Sequence, residues 1–139
     1  MSTLQGRVFT VTGAASGIGQ ATAVRLAHLG AAGLALSDVN LKGLEETRKK
    51  CAEYNTKTTL TKVDVSQNDQ VEDWIAATIR GFGRLDGAAN VAGIAGGDRT
   101  TTTATIKTED WDKMLDINLK GVMLCMRAQL PHLPRLKEG

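Results

Sequence analysis

Thr12-Gly13-Ala14-Ala15-Ser16-Gly17-Ile18-Gly19 sets three glycines at G-x-x-x-G-x-G spacing. Where such a turn joins a strand to a helix, one glycine permits the tight turn. Another lets the main chain come close to a pyrophosphate, and a third lets the helix pack against the sheet. The helix N-terminus beyond it offers unpaired N–H groups and partial positive charge to phosphate, and Ser16 and Ile18 fall in that same stretch. Asp38 follows at the end of the second β-rich run, where a carboxylate can accept hydrogen bonds from a ribose diol. Alone, the glycines suit any tight turn, and Asp38 reads as a helix-capping or surface carboxylate. Together, in strand-helix-strand order, they read as a dinucleotide site. An aspartate here repels a 2′-phosphate. No Arg or Lys stands among Ala14, Ala15, Ser16, Val39 and Asn40, so NAD is expected in preference to NADP.

The elements that must hold these residues alternate in period. Arg7–Thr12 is β-rich and ends at the glycines. Ile18, Ala21, Ala23, Val24, Leu26, Ala27 and Leu29 then follow helical spacing until Gly30. Leu34–Asp38 reads as a second strand, and Asn40 as the N-cap of a helix reaching about Tyr54. Thr58–Val65 reads as a third strand. Ser66 reads as the cap of a helix whose apolar stripe is Val71, Trp74, Ile75 and Ile79. Leu85–Val91 is almost free of polar residues and reads as a fully buried fourth strand. A threonine-rich loop, Gly96–Thr105, leads into one long helix from Thr108 to about Leu130. Strands alternating with helices imply an α/β fold with a doubly wound parallel sheet, in a single domain spanning 1–139.

Composition narrows the function classes. Of the 139 residues 42% are hydrophobic and 23% charged, a balance that buries a core and excludes a disordered chain. The net charge is +2 with the two signs interleaved, which gives no electrostatic footprint for nucleic acid. No apolar run is long enough to span a membrane, and the N-terminus lacks a signal-peptide layout. Cys51 and Cys125 fall in separate helices, so no disulfide framework is expected and the cytoplasm is the default compartment. His28 and His132 have no metal-ligand spacing around them. Met114, Met123 and Met126 with Trp111 read as core or interface packing.

In its motifs the chain resembles the short-chain dehydrogenases/reductases, from Gly6 to about Leu133. The glycine turn matches that family's cofactor motif. Asp64-Val65 matches the pair that meets the adenine ring, by carboxylate and by main-chain N–H. Asn90-Val91-Ala92-Gly93 matches an Asn-Asn-Ala-Gly motif with Val91 in place of the second Asn, and Asn118 matches the helix asparagine that supports a proton-relay water. The resemblance implies a Rossmann-type fold and an NAD(P)-dependent oxidoreductase interconverting an alcohol and a carbonyl by hydride transfer. It places Gly13, Ser16, Gly17, Ile18, Gly19, Asp38, Asp64, Val65, Asn90, Ala92 and Gly93 at the cofactor, and Asn118 in the catalytic set. From the residues alone, Asp64 also suits a strand-end turn, and Asn90 the satisfaction of buried backbone groups.

The family's chemistry uses a Tyr as general acid/base, a Lys four residues later, and a Ser. Here the single tyrosine, Tyr54, is followed by Thr58, and Ser2, Ser16, Ser37 and Ser66 all precede the fourth strand. The chain is therefore expected to be the cofactor-binding portion of a larger reductase, without turnover by itself. Its expected partners are a small-molecule alcohol or carbonyl, and either a second copy or a companion chain supplying the C-terminal half. The apolar girth of the last helix (Met114, Leu115, Leu119, Val122, Met123, Leu124, Met126, Leu130) and the open edge of the fourth strand point to that association. The alternative is a non-catalytic nucleotide-binding or dimerisation module.

Overall fold

The structure, a computed structural model, describes residues 4–135. Residues 1–3 and 136–139 lie outside the described residues. Strands β1 (Val8–Thr12), β2 (Gly33–Asp38), β3 (Lys57–Lys62) and β4 (Gly87–Asn90) form one parallel sheet in the order β3-β2-β1-β4. Register aligns Thr12 with Ser37 on one side and Asn90 on the other, so the chain leaves these strands at one level.

Side chains alternate across the sheet, and each face is covered by helices. Leu34 and Leu36 turn to the face covered by α1 (Gly17–His28) and α2 (Leu41–Ala52), where they pack with Val11, Ala23, Leu44 and Cys51. Ala35 turns the other way, to Val63, Val71, Trp74, Ile75 and Cys125 beneath α3 (Asn68–Phe82) and α5 (Gly121–Gln129). The sheet is thus doubly wound, as expected. Cys51 and Cys125 are free thiols on opposite faces, and burial pushes each thiol up to about 11. Among the described residues no helix is long and apolar enough to cross a membrane.

Several local expectations are corrected. The Thr108–Leu130 helix is not continuous: α4 (Thr108–Leu115) gives way to a π-turn at Asp116–Lys120 before α5, and Leu130–His132 is a 3₁₀ turn. The wide turn is closed by the Gly121 N–H donating to the Asp116 carbonyl. β3 stops at Lys62, which leaves Asp64 and Val65 in the turn that follows. Ser66 does not cap α3. Gln67 holds that position, and the Ser66 N–H and hydroxyl both donate to the Asp64 Oδ1, at 3.0 and 2.7 Å. Asn40 does cap α2, its Oδ1 accepting from the Gly43 N–H at 3.1 Å.

β4 is shorter than expected and only partly buried, because it is the outermost strand among the described residues. Ile18 does not join the packing stripe of α1. It stands 75% exposed in the first turn, while Gly19, Ala23 and Ala27 are the buried positions. α2 ends at Ala52, before Tyr54. Of the core and interface readings of Trp111, Met123 and Met126, exposure excludes the core one: with Leu115, Leu119 and Leu130 they form an exposed apolar row along α4, the π-turn and α5.

Candidate functional site

A cleft of about 120 Å³ opens at the carboxyl ends of the strands, bounded by Gly13, Ser37, Asp38, Asp64, Val65, Ala92 and Gly93. It lies where the strand order reverses: the chain runs outward from β1 through β2 to β3, then crosses back to set β4 on the other side of β1. In open parallel sheets this switch point is where ligands bind.

The glycine turn is built by contacts that a side chain would block. Gly13 has φ +65, and a Cβ there would come within 2.9 Å of the Ala92 main chain, so the turn lies directly against the exit of β4. A Cβ on Gly19 would stand 2.0 Å from the Gly13 carbonyl oxygen. That closeness folds the first turn of α1 back onto the strand exit. Gly17, with φ +52, has nothing within 4 Å of its Cβ position. Its left-handed backbone sits in open space at the helix N-terminus, which leaves the main chain approachable there.

Asp38 braces this turn from β2. Its Oδ2 accepts from the Ala15 N–H and its Oδ1 from the Asn40 N–H, each at 3.0 Å. Each oxygen keeps a further lone pair for a ligand hydroxyl. Asp64 is a turn residue as well as a cleft residue, with Oδ1 engaged by Ser66 and its N–H donating to Gln70 at 2.8 Å. Val65 is buried, and a Cβ at Gly121 would lie 2.6 Å from it, so α5 closes tightly on the floor of the cleft.

Two of the expected residues make paired hydrogen bonds within the fold. Asn90 exchanges two 3.0 Å amide hydrogen bonds with Gln129 of α5, and Gln129 also donates to the Thr10 hydroxyl at 3.2 Å. Its side chain therefore ties the sheet to α5 and is absent from the cleft lining. Asn118, in the π-turn, accepts from the Ile94 N–H and donates to the Ile94 carbonyl, both at 2.8 Å. This two-point clamp fixes the strand-exit loop to the helix at the one place where the helix widens, a feature common at functional sites.

Other contributors lie outside the site residues expected from the sequence. The Thr12 hydroxyl accepts from the N–H groups of both Val91 and Ala92, at 3.0 and 3.1 Å, and so shapes the exit of β4. Thr47, buried in α2, donates to the Ala14 carbonyl at 2.7 Å and accepts from the Gln20 amide at 2.9 Å. A Cβ on Gly43 would lie 2.7 Å from Ala15, so α2 packs close under the turn. Ser37 is fully buried at the cleft, and its hydroxyl has no hydrogen-bond partner among the described residues.

One cleft thus joins Gly13 of the glycine turn, a carboxylate at the end of β2 and a second carboxylate past β3, while Gly17 at the open helix N-terminus borders the groove of Gln20, Arg25 and Lys50. Residues 7–139 match the family model described as short chain dehydrogenase. A chanoclavine-I dehydrogenase of Penicillium roqueforti is 38% identical over 135 residues, covering 94% of this chain and 52% of the relative. Carveol dehydrogenase from Mycobacterium avium, solved in complex with NAD, superposes with a TM-score of 0.88 at 28% identity, over 96% of this chain and 51% of that one. A metagenomic short-chain oxidoreductase solved in complex with NADP gives 0.83 at 30% identity, over 92% and 57%. The chain spans about half the length of the curated relatives it matches. With its family model matched from residue 7 onward and solved short-chain oxidoreductases superposing on its fold, this chain belongs to the short-chain dehydrogenases.

Proposed function

We propose that this chain is the dinucleotide-binding portion of an oxidoreductase that interconverts an alcohol and a carbonyl, and that it takes NAD in preference to NADP. The observation that carries this is the pairing of the open, left-handed Gly17 at the α1 N-terminus with the Asp38 carboxylate 3.0 Å from the Ala15 N–H of the same turn. Phosphate is met by N–H groups and helix charge on one side, and a ribose diol by a carboxylate on the other. A 2′-phosphate would bring its charge against Asp38.

The residues present fit such a dinucleotide. Gly13, Ser16, Gly17, Ile18 and Gly19 would receive the pyrophosphate, Asp38 the adenosine ribose, and Asp64 and Val65 the base. Ala92 and Gly93 would form the opposite wall. When bound, the nicotinamide ring supplies hydride transfer. Asn90 and Asn118 act as positioning residues, through Gln129 and Ile94. The chain carries no Tyr followed by Lys four residues later, which supports assigning it binding rather than turnover by itself. The exposed row of Trp111, Leu115, Leu119, Met123, Met126 and Leu130 supports a second copy as its partner.

Calorimetric titration of the chain with NAD⁺ and NADP⁺ tests this reading. Tighter binding of NAD⁺ is expected; binding of neither dinucleotide would overturn the assignment.

A further inference from the structure

We infer that Ser37 is a specificity-determining residue of the dinucleotide site, its hydroxyl donating a hydrogen bond to a ring nitrogen of the bound base. The inference rests on the dinucleotide reading above and deepens it. Ser37 is the penultimate residue of β2, fully buried, and borders the cleft, yet its Oγ has no partner among the described residues. A buried hydroxyl left unpaired destabilises the fold, so a strand interior normally places Ala or Val at such a position.

The sheet fixes which part of a ligand this hydroxyl meets. Residues two apart on a strand share a face, and Ala35 packs with Val63 and Val65 beneath α3 and α5. Ser37 therefore faces that same side, toward Asp64 and Val65. The next residue, Asp38, reaches the other way, to Ala15 and Asn40. Ser37 thus belongs with the base subsite rather than with the ribose. A carboxylate can accept only from adenine's exocyclic amine and one main-chain N–H can donate to only one ring nitrogen, so a hydroxyl that rotates freely is suited to a ring nitrogen left over. The rest of the surrounding lining, Val63, Val65, Ala92 and Ile117, is apolar, so the bond would form away from water.

The test compares the chain with Ser37→Ala and Ser37→Cys, measuring dissociation constants for ADP-ribose and for nicotinamide mononucleotide, and the melting temperature without ligand. Ser37→Ala should bind ADP-ribose about threefold to tenfold more weakly. Ser37→Cys, a weaker donor of similar size, should fall between. Affinity for the mononucleotide, which lacks the base, should not change, and the ligand-free melting temperature should stay level or rise as an unpaired hydroxyl is removed. Unchanged ADP-ribose affinity in Ser37→Ala would overturn the inference while leaving the dinucleotide reading intact. A lower ligand-free melting temperature with equal losses for both ligands would overturn it too, because Ser37 would then be structural. Failure of the unsubstituted chain to bind ADP-ribose would overturn both.

Discussion

Gly19→Ala isolates the contact on which the phosphate-facing turn depends. An added Cβ would stand 2.0 Å from the Gly13 carbonyl oxygen and 2.6 Å from its carbon, both backbone atoms that cannot rotate away. Ordinary van der Waals contact lies at 3.4–4 Å. The helix must therefore lift off the turn, and overpacking of this kind costs about 1–3 kcal/mol. Alanine returns roughly 0.5–1 kcal/mol of helix preference over glycine. The net destabilisation lies between about 0 and 2.5 kcal/mol and centres near 1 kcal/mol, or a fall in melting temperature of roughly 3–5 °C for a domain of this size. Gly81→Ala is the control. It lies in the last turn of α3 with nothing within 4 Å of its Cβ position, so it should be neutral or raise the melting temperature by a few degrees, about 0.5–1 kcal/mol. Circular dichroism melting gives the stability arm, and NAD⁺ titration gives the site arm, where Gly19→Ala should lose at least about tenfold in affinity as its N–H groups leave their places. A Gly19→Ala chain as stable as the parent, with unchanged NAD⁺ affinity, would refute the packing argument for the turn.

Asp38→Ala removes the acceptor for the Ala15 and Asn40 N–H groups and the charge that opposes a 2′-phosphate. NAD⁺ affinity should fall and the gap to NADP⁺ should narrow; an undiminished gap on titration would show that discrimination lies elsewhere. Asp86 at the foot of β4 accepts from Nε and Nη2 of Arg84, at 2.7 and 2.6 Å, and from the Val8 N–H at 2.8 Å. The Arg84 hydrogen bond, and then the Val8 N–H, hold its carboxyl below its usual 3.8 despite burial. Because the folded value is depressed, the stabilisation is present above about pH 4 and is lost as pH falls through that region. In urea unfolding, the chain should exceed Asp86→Asn in stability near neutral pH, and the difference should shrink below about pH 4; a difference constant with pH would contradict this. Met123→Asp puts a charge in the exposed apolar row, so sedimentation should show weaker self-association than in the parent chain. An identical mass distribution for both would exclude this row as the contact surface.

The strand-helix alternation was legible because each element is written in the period of its apolar residues. Leu34 and Leu36 serve one face of the sheet and Ala35 the other, which is what a nearly continuous apolar run in a parallel strand encodes. The glycine turn and Asp38 were legible because backbone geometry and charge restrict which residues can stand there. What escaped is what depends on contacts distant in the chain. The Asn90–Gln129 pair spans 39 residues, and Thr47 reaches Ala14 across 33, so neither leaves a local signal. The π-turn at Asn118 was hidden because Leu115, Leu119 and Met123 keep an even four-residue step through it, as in an uninterrupted helix. Ser66 was misplaced because a serine before a helix suits a cap and a turn equally. Here the Asp64 carboxylate won its hydroxyl. Ser37 carries no local signal of a site among its apolar neighbours, since only burial without a partner marks it out.

The central claim is that one cleft at the carboxyl ends of the strands holds a nicotinamide–adenine dinucleotide. Backbone amide shifts of the isotope-labelled chain, followed by NMR as NAD⁺ is added, test it most directly. The account predicts saturable shifts at Gly13 through Gly19, Asp38, Asp64, Val65, Ala92 and Gly93, with larger shifts at lower concentration for NAD⁺ than for NADP⁺. Shifts confined to the groove between α1 and α2 around Arg25, Lys50 and Tyr54, or none at saturating NAD⁺, would contradict it.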